Sequence, residues 1–391
     1  MQIPIAYQPG YEKARASNPE IADKYIEHTL IGDPEADAVV NAIAAASQEQ
    51  QGEFIRAGMD EDAEALRAAP PVVGEFFDRI GTPPEWFDPE IVYAGCRKFH
   101  AYSDLFLTAF VTDIIVRGFT TLISQSFFIT GRLTDRGVRR LRQNIRHLLE
   151  IMMPGGLDRH GEGWKLSVRL RLVHARVRQQ LLVSEDWDQE AHGMPLSAAH
   201  IALASCNFSG MMLWAAGRIG ARLNDEERDS FMQIWRYTAW LMGVPDALIF
   251  RDEAEAREIF RVGYMCEPPF GVEAIAMANS VINSAPLVIG IEDKDERKAL
   301  LSYGYRLSRA LLGDELADQL MFPKSRTTGT LPYLRMRRRV QEVIDALRGP
   351  RQRAKGLRTQ NFMTMLDISV LEEDNISYRL PDELHGDPSS W

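Results

Sequence analysis

The stretch Arg169-Leu-Arg-Leu-Val-His174-Ala-Arg-Val-Arg178 marks a helix near the centre of this chain. Apolar residues recur through it at spacings of three and four, which predicts an α-helix over 164–183. These residues are Leu166, Leu170, Val173, Val177 and Leu181. His174 follows Leu170 by four and precedes Val177 by three, so it shares their face. The pattern therefore predicts a single imidazole on the apolar side of a helix.

His174 is a candidate metal ligand. Neutral imidazole is the commonest protein ligand for metals, and a proximal His is a standard axial ligand of haem iron. Arginines at positions 169, 171, 176 and 178 flank it, and guanidiniums pair with carboxylates such as haem propionates. The alternative is a core histidine with one hydrogen-bonded ring nitrogen, the more frequent situation for one histidine on an apolar face. Spacing alone leaves both interpretations open.

The composition is that of a folded, acidic protein. Among its 391 residues, 45% are hydrophobic and 26% charged, and the net charge of −10 argues against nucleic acid as a partner. The three cysteines, Cys96, Cys206 and Cys266, are widely spaced, which predicts free buried thiols in a reducing compartment. We see no secretory leader and no uncharged apolar run of the ~18 residues that a membrane span needs. We therefore expect a cytoplasmic protein without a transmembrane segment.

Helical periodicity dominates the chain, and alternating strand patterns are scarce, so we predict an all-α fold. Residues 89–129 form a nearly continuous apolar helical pattern, and Asn224 and the acidic residues after it mark a helix start. Further helices are expected at 34–68, 134–152, 195–221, 224–243, 252–265, 272–284 and 294–312. We divide the chain into an N-terminal helical extension (1–88), a core (89–284) and a C-terminal helical extension (285–391).

An ordered series of motifs over about residues 90–265 resembles the rubber oxygenase catalytic-domain family. The motifs are Thr130-Gly131-Arg132, Arg139-Arg140-Leu141, the His174 block, Trp187, Gly193-Met-Pro195, Trp235-Arg236 and Gly243-Val244-Pro245. The family includes latex clearing proteins and the oxygenase of mycophenolic acid biosynthesis that cleaves a farnesyl side chain. The resemblance implies a globin-like helical core with one haem b and His174 as its proximal ligand. We expect Arg132, Arg171 and Arg178 to bind the haem as well.

The distal side of the expected haem site departs from the family pattern. Latex clearing proteins place an Arg, a Lys and a Thr there on one helix, and this chain has Arg140, Gln143 and Asn144. An amide is a poor iron ligand compared with an amine. Ser124 and Gln125 stand where an acidic residue is expected, which removes the obvious general base.

His147 shares a helix face with these three distal residues and becomes the candidate base if it points inward. Alternatively, residues 140, 143, 144 and 147 are the solvated back of an apolar stripe. That stripe comprises Val138, Leu141, Ile145, Leu148 and Met152.

These observations predict a haem b-dependent oxygenase that uses dioxygen on an unsaturated apolar small molecule, an isoprenoid or lipid, by C=C cleavage or oxygen insertion. A peroxidase- or monooxygenase-like enzyme and a non-catalytic haem or lipid binder are the alternatives. Nine basic residues within 335–358 form either a contact for lipid headgroups or other acidic surfaces, or a solvated helix face balanced by the acidic residues near Glu372.

Overall fold

Helices form every regular element in the residues that the computed structural model describes, which are 1–129, 137–347 and 380. The N-terminal helices are α1 (Gln8–Ser17), α2 (Pro19–His28), α3 (Pro34–Ile43), α4 (Gln48–Met59), α5 (Ala63–Leu66) and α6 (Pro71–Gly81). The next are α7 (Val92–Ala101), α8 (Ser103–Ala109), α9 (Ile115–Phe119), α10 (Ile123–Ile129), α11 (Gly137–Ile151), α12 (Glu162–Leu182) and α13 (Gln189–His192). Then come α14 (Ala198–Cys206), α15 (Met212–Ile219), α16 (Asp225–Leu241), α17 (Glu253–Cys266), α18 (Val272–Val288), α19 (Lys294–Leu312), α20 (Asp314–Gln319) and α21 (Thr330–Leu347).

Capping side chains account for both the successes and the errors of the helix predictions. Asn224 begins α16 through a reciprocal capping box with Glu227, so the predicted start is confirmed. The single helix predicted over 34–68 is wrong, because the chain forms α3, α4 and α5 there. Ser47 accepts a hydrogen bond from Gln50 N, and Asp62 accepts from Glu64 N, so each residue starts a new helix.

Two π-helical turns interrupt helices that the sequence predicted to be continuous. Phe110–Ile114 separates α8 from α9, and Asn207–Met211 separates α14 from α15. The amide Nδ2 of Asn207 donates to Ile114 O at 2.8 Å, which ties the two turns together in the core. Such turns are frequent near functional sites because they redirect side chains out of the helical register.

Helices α11 and α12 form an antiparallel hairpin. A methyl group on Gly163 would lie 2.8 Å from the carbonyl carbon and oxygen of Glu150, so the two backbones touch at this level. One turn further along α12, Ser167 contacts His147, which is one turn earlier on α11. The two contacts fix both the direction and the register of the pair.

One apolar cluster joins the three predicted segments of the chain, since it includes residues from Tyr7 to Leu380. The three cysteines are buried and free, which confirms the prediction of free buried thiols. Among the described helices none alone has the length and apolarity of a membrane span. The bent pair Val92–Ala101 and Ser103–Phe119 meets that criterion jointly across an 87° bend.

Candidate functional site

His174 lies on the inner face of α12, where the helix keeps some accessible surface. The outer, solvent-facing side of α12 carries the partly exposed residues Lys165, Arg176 and Gln179. At ~100° per residue, Leu170 and His174 lie ~140° and ~180° around the helix from Lys165. Both are nevertheless only partly buried, whereas the inner-face residues on either side, such as Ser167, are buried. The inner face of α12 therefore keeps accessible surface at Leu170 and His174, and we call the space beside these two residues the crevice.

The His174 ring is held in its neutral form. Burial, with smaller contributions from Arg178 and His147, lowers its pKa to about 4. Its Nδ1 atom is buried and has no hydrogen-bond partner in the part of the chain that the structure describes. A core histidine usually has at least one nitrogen hydrogen-bonded, and Nδ1 does not supply that bond here. A neutral imidazole bordering a crevice is the form in which histidine binds a metal.

The imidazole of His147 points at α12, which excludes a solvated position for this residue. Its Nε2 lies 2.8 Å from the Ser167 hydroxyl, and that hydroxyl donates to Gly163 O at 2.7 Å. Because the one proton of the hydroxyl is used on Gly163, Ser167 accepts from His147, and Nε2 carries the ring proton. The lone pair is then on Nδ1. Burial lowers the pKa of His147 to about 4, so it too is neutral near pH 7.

The remaining distal candidates follow from the hairpin register. His147 on α11 pairs with Ser167 on α12. One turn earlier on α11, Gln143 and Asn144 therefore come to the level of Leu170, which is one turn later on α12. Gln143 is partly buried and Asn144 is exposed, so the four predicted residues do not share one environment. The structure does not describe the side chain of Arg140, and Arg132 as a whole lies outside the described residues. Four of the stripe residues, Leu141, Ile145, Leu148 and Met152, are buried as expected.

Arg171 and Arg178, predicted to bind the haem, contact carboxylates of the N-terminal helices. Arg171 donates to both oxygens of Asp33, at 2.6 and 2.9 Å, and to Glu35 at 2.9 Å. Arg178 pairs with Asp37 and is itself buried. We call these five residues the carboxylate clamp. It attaches α12 to α3, and Asp33 also caps the start of α3 by accepting from Ala36 N.

Other motifs of the family resemblance also lie at the carboxylate clamp. Arg178 donates to Pro195 O at 3.2 Å and to Leu196 O at 2.9 Å. Gly243 has a positive φ of 80°, and a methyl group there would lie 2.6 Å from Nε of Arg171. A side chain at this position would displace the guanidinium from Asp33. Glycine is therefore required both for the turn and for the ion pair.

No carboxylate occupies the position where the family pattern has its acidic residue. Ser124 is buried there, and its hydroxyl donates to Thr121 O at 3.0 Å. The nearby Leu122 N donates at 2.7 Å to Glu267, a buried carboxylate whose pKa is raised to about 7 chiefly by burial. Tyr25 donates to the other oxygen of Glu267 at 2.6 Å, so both oxygens of this carboxylate are bonded within the core.

Ser167 and Leu170 belong to the site, although the sequence reasoning did not identify them. Both share the face of His174, at spacings of seven and four residues. That spacing was the available signal, but an apolar or small residue on a helix face is indistinguishable from core without its neighbours. No group of three or more His, Cys, Asp or Glu side chains suited to a metal ion occurs in the described ranges.

Comparison with known proteins bears out the family resemblance. The family model described as ER-bound oxygenase mpaB/B′ and rubber oxygenase, catalytic domain, matches residues 98–342. A rubber oxygenase of Streptomyces sp. (strain K30) is 29% identical over 92 residues, which is 23% of this chain and 23% of that protein. The structure of latex clearing protein LCP in the closed state has a TM-score of 0.65 and 17% identity, and the match covers 90% of this chain and 95% of that chain. This structural similarity confirms the predicted fold.

Proposed function

The chain belongs to the family of mpaB-type and rubber oxygenase catalytic domains, and from that premise we propose that it is a haem b-dependent oxygenase. Its substrate in this proposal is an unsaturated apolar small molecule, an isoprenoid or lipid, and its co-substrate is dioxygen. The observation that carries the proposal is the neutral, partly accessible His174 on the inner face of α12.

The donor set of the described site fits a haem. Haem iron needs as few as one protein ligand, and His174 offers an imidazole that is already neutral. Metal binding therefore requires no deprotonation near pH 7. Since Arg171 and Arg178 are engaged with the chain's own carboxylates, Arg132 stays the candidate partner for the propionates. We assign the other two arginines to the attachment of α12.

When bound, the haem would supply the redox chemistry with dioxygen. The protein residues would then set polarity and proton transfer at the α11 side of the crevice. Gln143 carries an amide at this level of α11. His147 keeps a lone pair on Nδ1 because Ser167 accepts from its other nitrogen. With a pKa of about 4 this ring accepts a proton only transiently and releases it again, as a proton relay does.

An apolar cavity lies behind α11, apart from the His174 face of α12. It has a volume of about 170 Å³ and lies on the opposite side of α11 from His147, against α18 and α19. Its walls include Leu141, Ile145 and Leu300, and its two threonines, Thr108 and Thr112, bond to carbonyls of their own helix. Apolar cavities of ~150 Å³ hold benzene-sized ligands, so a short hydrocarbon chain fits here.

A peroxidase- or monooxygenase-like reaction is the second candidate. It is favoured by Ser124 and Gln143, which replace the carboxylate and the amine of the family pattern.

The buried free thiols of Cys96, Cys206 and Cys266 are consistent with the cytoplasmic location that we propose.

The haem proposal is tested by absorption spectroscopy of protein reconstituted with hemin. We expect a Soret band from the wild type, its loss or displacement in His174→Ala, and its restoration when imidazole is added to that variant. His147→Ala is the matched control, because it removes a nearby, partly buried imidazole and should leave the band in place. A folded wild type that stays colourless with hemin, or an unchanged band in His174→Ala, contradicts the proposal.

The reaction class is tested separately with the haem-loaded protein and an isoprenoid alkene under dioxygen. Aldehyde or ketone fragments would show cleavage of the double bond. An epoxide or alcohol of unchanged carbon number would show oxygen insertion without scission, and turnover only with added peroxide would show peroxidase-like chemistry. Ligand binding without any product would leave the non-catalytic alternative.

A further inference from the structure

Helix α21 exposes a continuous stripe of large apolar side chains. Its members are Tyr333, Met336, Val340, Val343 and Ile344, which we call the α21 stripe. The first four are 54–59% exposed and Ile344 is 38% exposed. At ~100° per residue they fall within an arc of ~100°. Isolated exposed apolar residues are ordinary, whereas a contiguous stripe of them marks a binding surface.

The opposite face of α21 is attached to the body of the protein, so the orientation of the helix is fixed. Leu331 is buried there. Glu342 accepts a hydrogen bond from Tyr102 at 2.8 Å, and Arg338 pairs with Asp104 at 3.3 Å and lies over the Tyr102 ring. These contacts prevent the helix from rotating to bury its stripe. The stripe thus faces away from the described part of the chain.

Arginines border the α21 stripe on both sides. Arg337 lies ~40° beyond Tyr333 on one edge, Arg339 lies ~40° beyond Val343 on the other, and both are exposed. The sequence of α21 has two acidic residues: Glu342 is on the attached face, and Asp345 falls outside the arc of the stripe. An apolar stripe between cationic edges is the pattern of a helix that lies in the plane of a lipid interface. The guanidiniums then reach the phosphates while their methylene stems stay with the acyl chains.

We propose that α21 docks this protein peripherally on a lipid surface that carries anionic headgroups. Charge selects this occupant over a second copy of the chain, because a symmetric pairing of two stripes would bring Arg337 and Arg339 against like charges. The net charge of −10 for the whole chain repels an anionic surface elsewhere on the molecule. Docking is therefore confined to the stripe and orients the protein. The proposal is independent of the haem and of the reaction.

Vesicle flotation with the full chain tests this docking. We expect the protein to float with phosphatidylcholine vesicles containing phosphatidylserine, and to bind at least tenfold more weakly to phosphatidylcholine alone or at high salt. Val340→Asp/Val343→Asp should lose binding at least tenfold, and Arg337→Gln/Arg339→Gln should lose the preference for anionic vesicles. All four positions are exposed, so the fold should tolerate these changes. Met321→Asp, at an apolar residue that is 73% exposed elsewhere, is the matched control and should bind as the wild type does.

A second measurement reports directly on the stripe. Val340→Trp should show a blue shift of indole emission when anionic vesicles are added, and Met321→Trp should show none. The proposal is overturned if the wild type remains in the bottom fraction of the gradient, or if Val340→Asp/Val343→Asp floats as well as the wild type does. A wild type that does not float but sediments as a dimer, which the aspartate pair dissociates, assigns the stripe to a second copy. If the wild type is monomeric and does not float, the α21 stripe is assigned to a contact with residues 348–391.

Discussion

Replacing Arg178 with methionine separates the two roles that this arginine has been given. Methionine keeps most of the apolar stem and removes the guanidinium. If the side chain attaches α12 to α3, the loss appears in the folding stability of the haem-free protein. If it serves the propionates, the haem-free protein keeps its stability, and only the affinity for hemin falls.

The magnitude follows from the contacts of Arg178, which is 2% exposed. Removing the guanidinium leaves the half-buried Asp37 carboxylate, the pKa of which is already raised by burial, without its partner. It also leaves the carbonyl oxygens of Pro195 and Leu196 without their hydrogen-bond donor. Breaking a buried pair from one side costs ~3–5 kcal/mol. With an unfolding entropy of ~2.1 cal/mol/K per residue over 391 residues, a loss of ~4 kcal/mol lowers the Tm by ~5 °C.

Thermal unfolding of the haem-free protein, followed by circular dichroism, measures this change. Arg15→Met is the matched control, because its partner Asp23 is also exposed and such a pair contributes at most ~1 kcal/mol. Adding Asp37→Asn to Arg178→Met should recover part of the loss, since the stranded charge is then removed. An unchanged Tm for Arg178→Met together with weaker hemin binding would refute the structural assignment and restore the propionate role.

Three further changes probe the hairpin and the buried carboxylate. Gly163→Ala should destabilise the protein by ~1–3 kcal/mol in urea unfolding, because the new methyl meets the Glu150 backbone at 2.8 Å, whereas Gly74→Ala, with no atom within 4 Å, should not. Ser167→Ala should cost ~1–3 kcal/mol by leaving His147 Nε2 without its acceptor, and an unchanged urea midpoint would contradict that hydrogen bond. Burial raises the pKa of Glu267 to about 7, so the stabilising effect of the protonated carboxyl is complete below its unfolded pKa of ~4.5. This contribution to the free energy of unfolding falls by ~3 kcal/mol as the pH rises to 7. Glu267→Gln should lack this pH dependence when urea midpoints at pH 5 and 8 are compared.

Local signals in the sequence predicted much of the fold. The bounds of α19 match the predicted 294–312, and Asn224 marked the start of α16, because both depend on neighbouring residues and on caps. The ion pairs of Arg171 and Arg178 could not be predicted in this way. Their carboxylates lie 138 and 141 positions earlier in the chain, and a row of arginines does not indicate which acid it will meet.

The direction of His147 shows the same limit at the candidate site. A helical wheel places residues 140, 143, 144 and 147 together, but it does not say which neighbouring helix covers them. The close approach at Gly163 decides this, because only a residue without a side chain lets α12 come near enough for Ser167 to accept from His147. The exposed Asn144 is on the same turn as Gln143, yet it falls outside that contact.

Several of the residues that carry the family resemblance position α12. Arg171 and Arg178 pair with α3, Pro195 accepts from Arg178, and Gly243 leaves room for Arg171. These contacts hold the backbone that bears His174, whatever ligand the crevice contains. Gln143 of α11, which departs from the family pattern, lies at the level of Leu170 on that helix. The matched contacts therefore concern the position of His174, the iron ligand that we propose, whereas the reaction depends on the side chains that α11 presents.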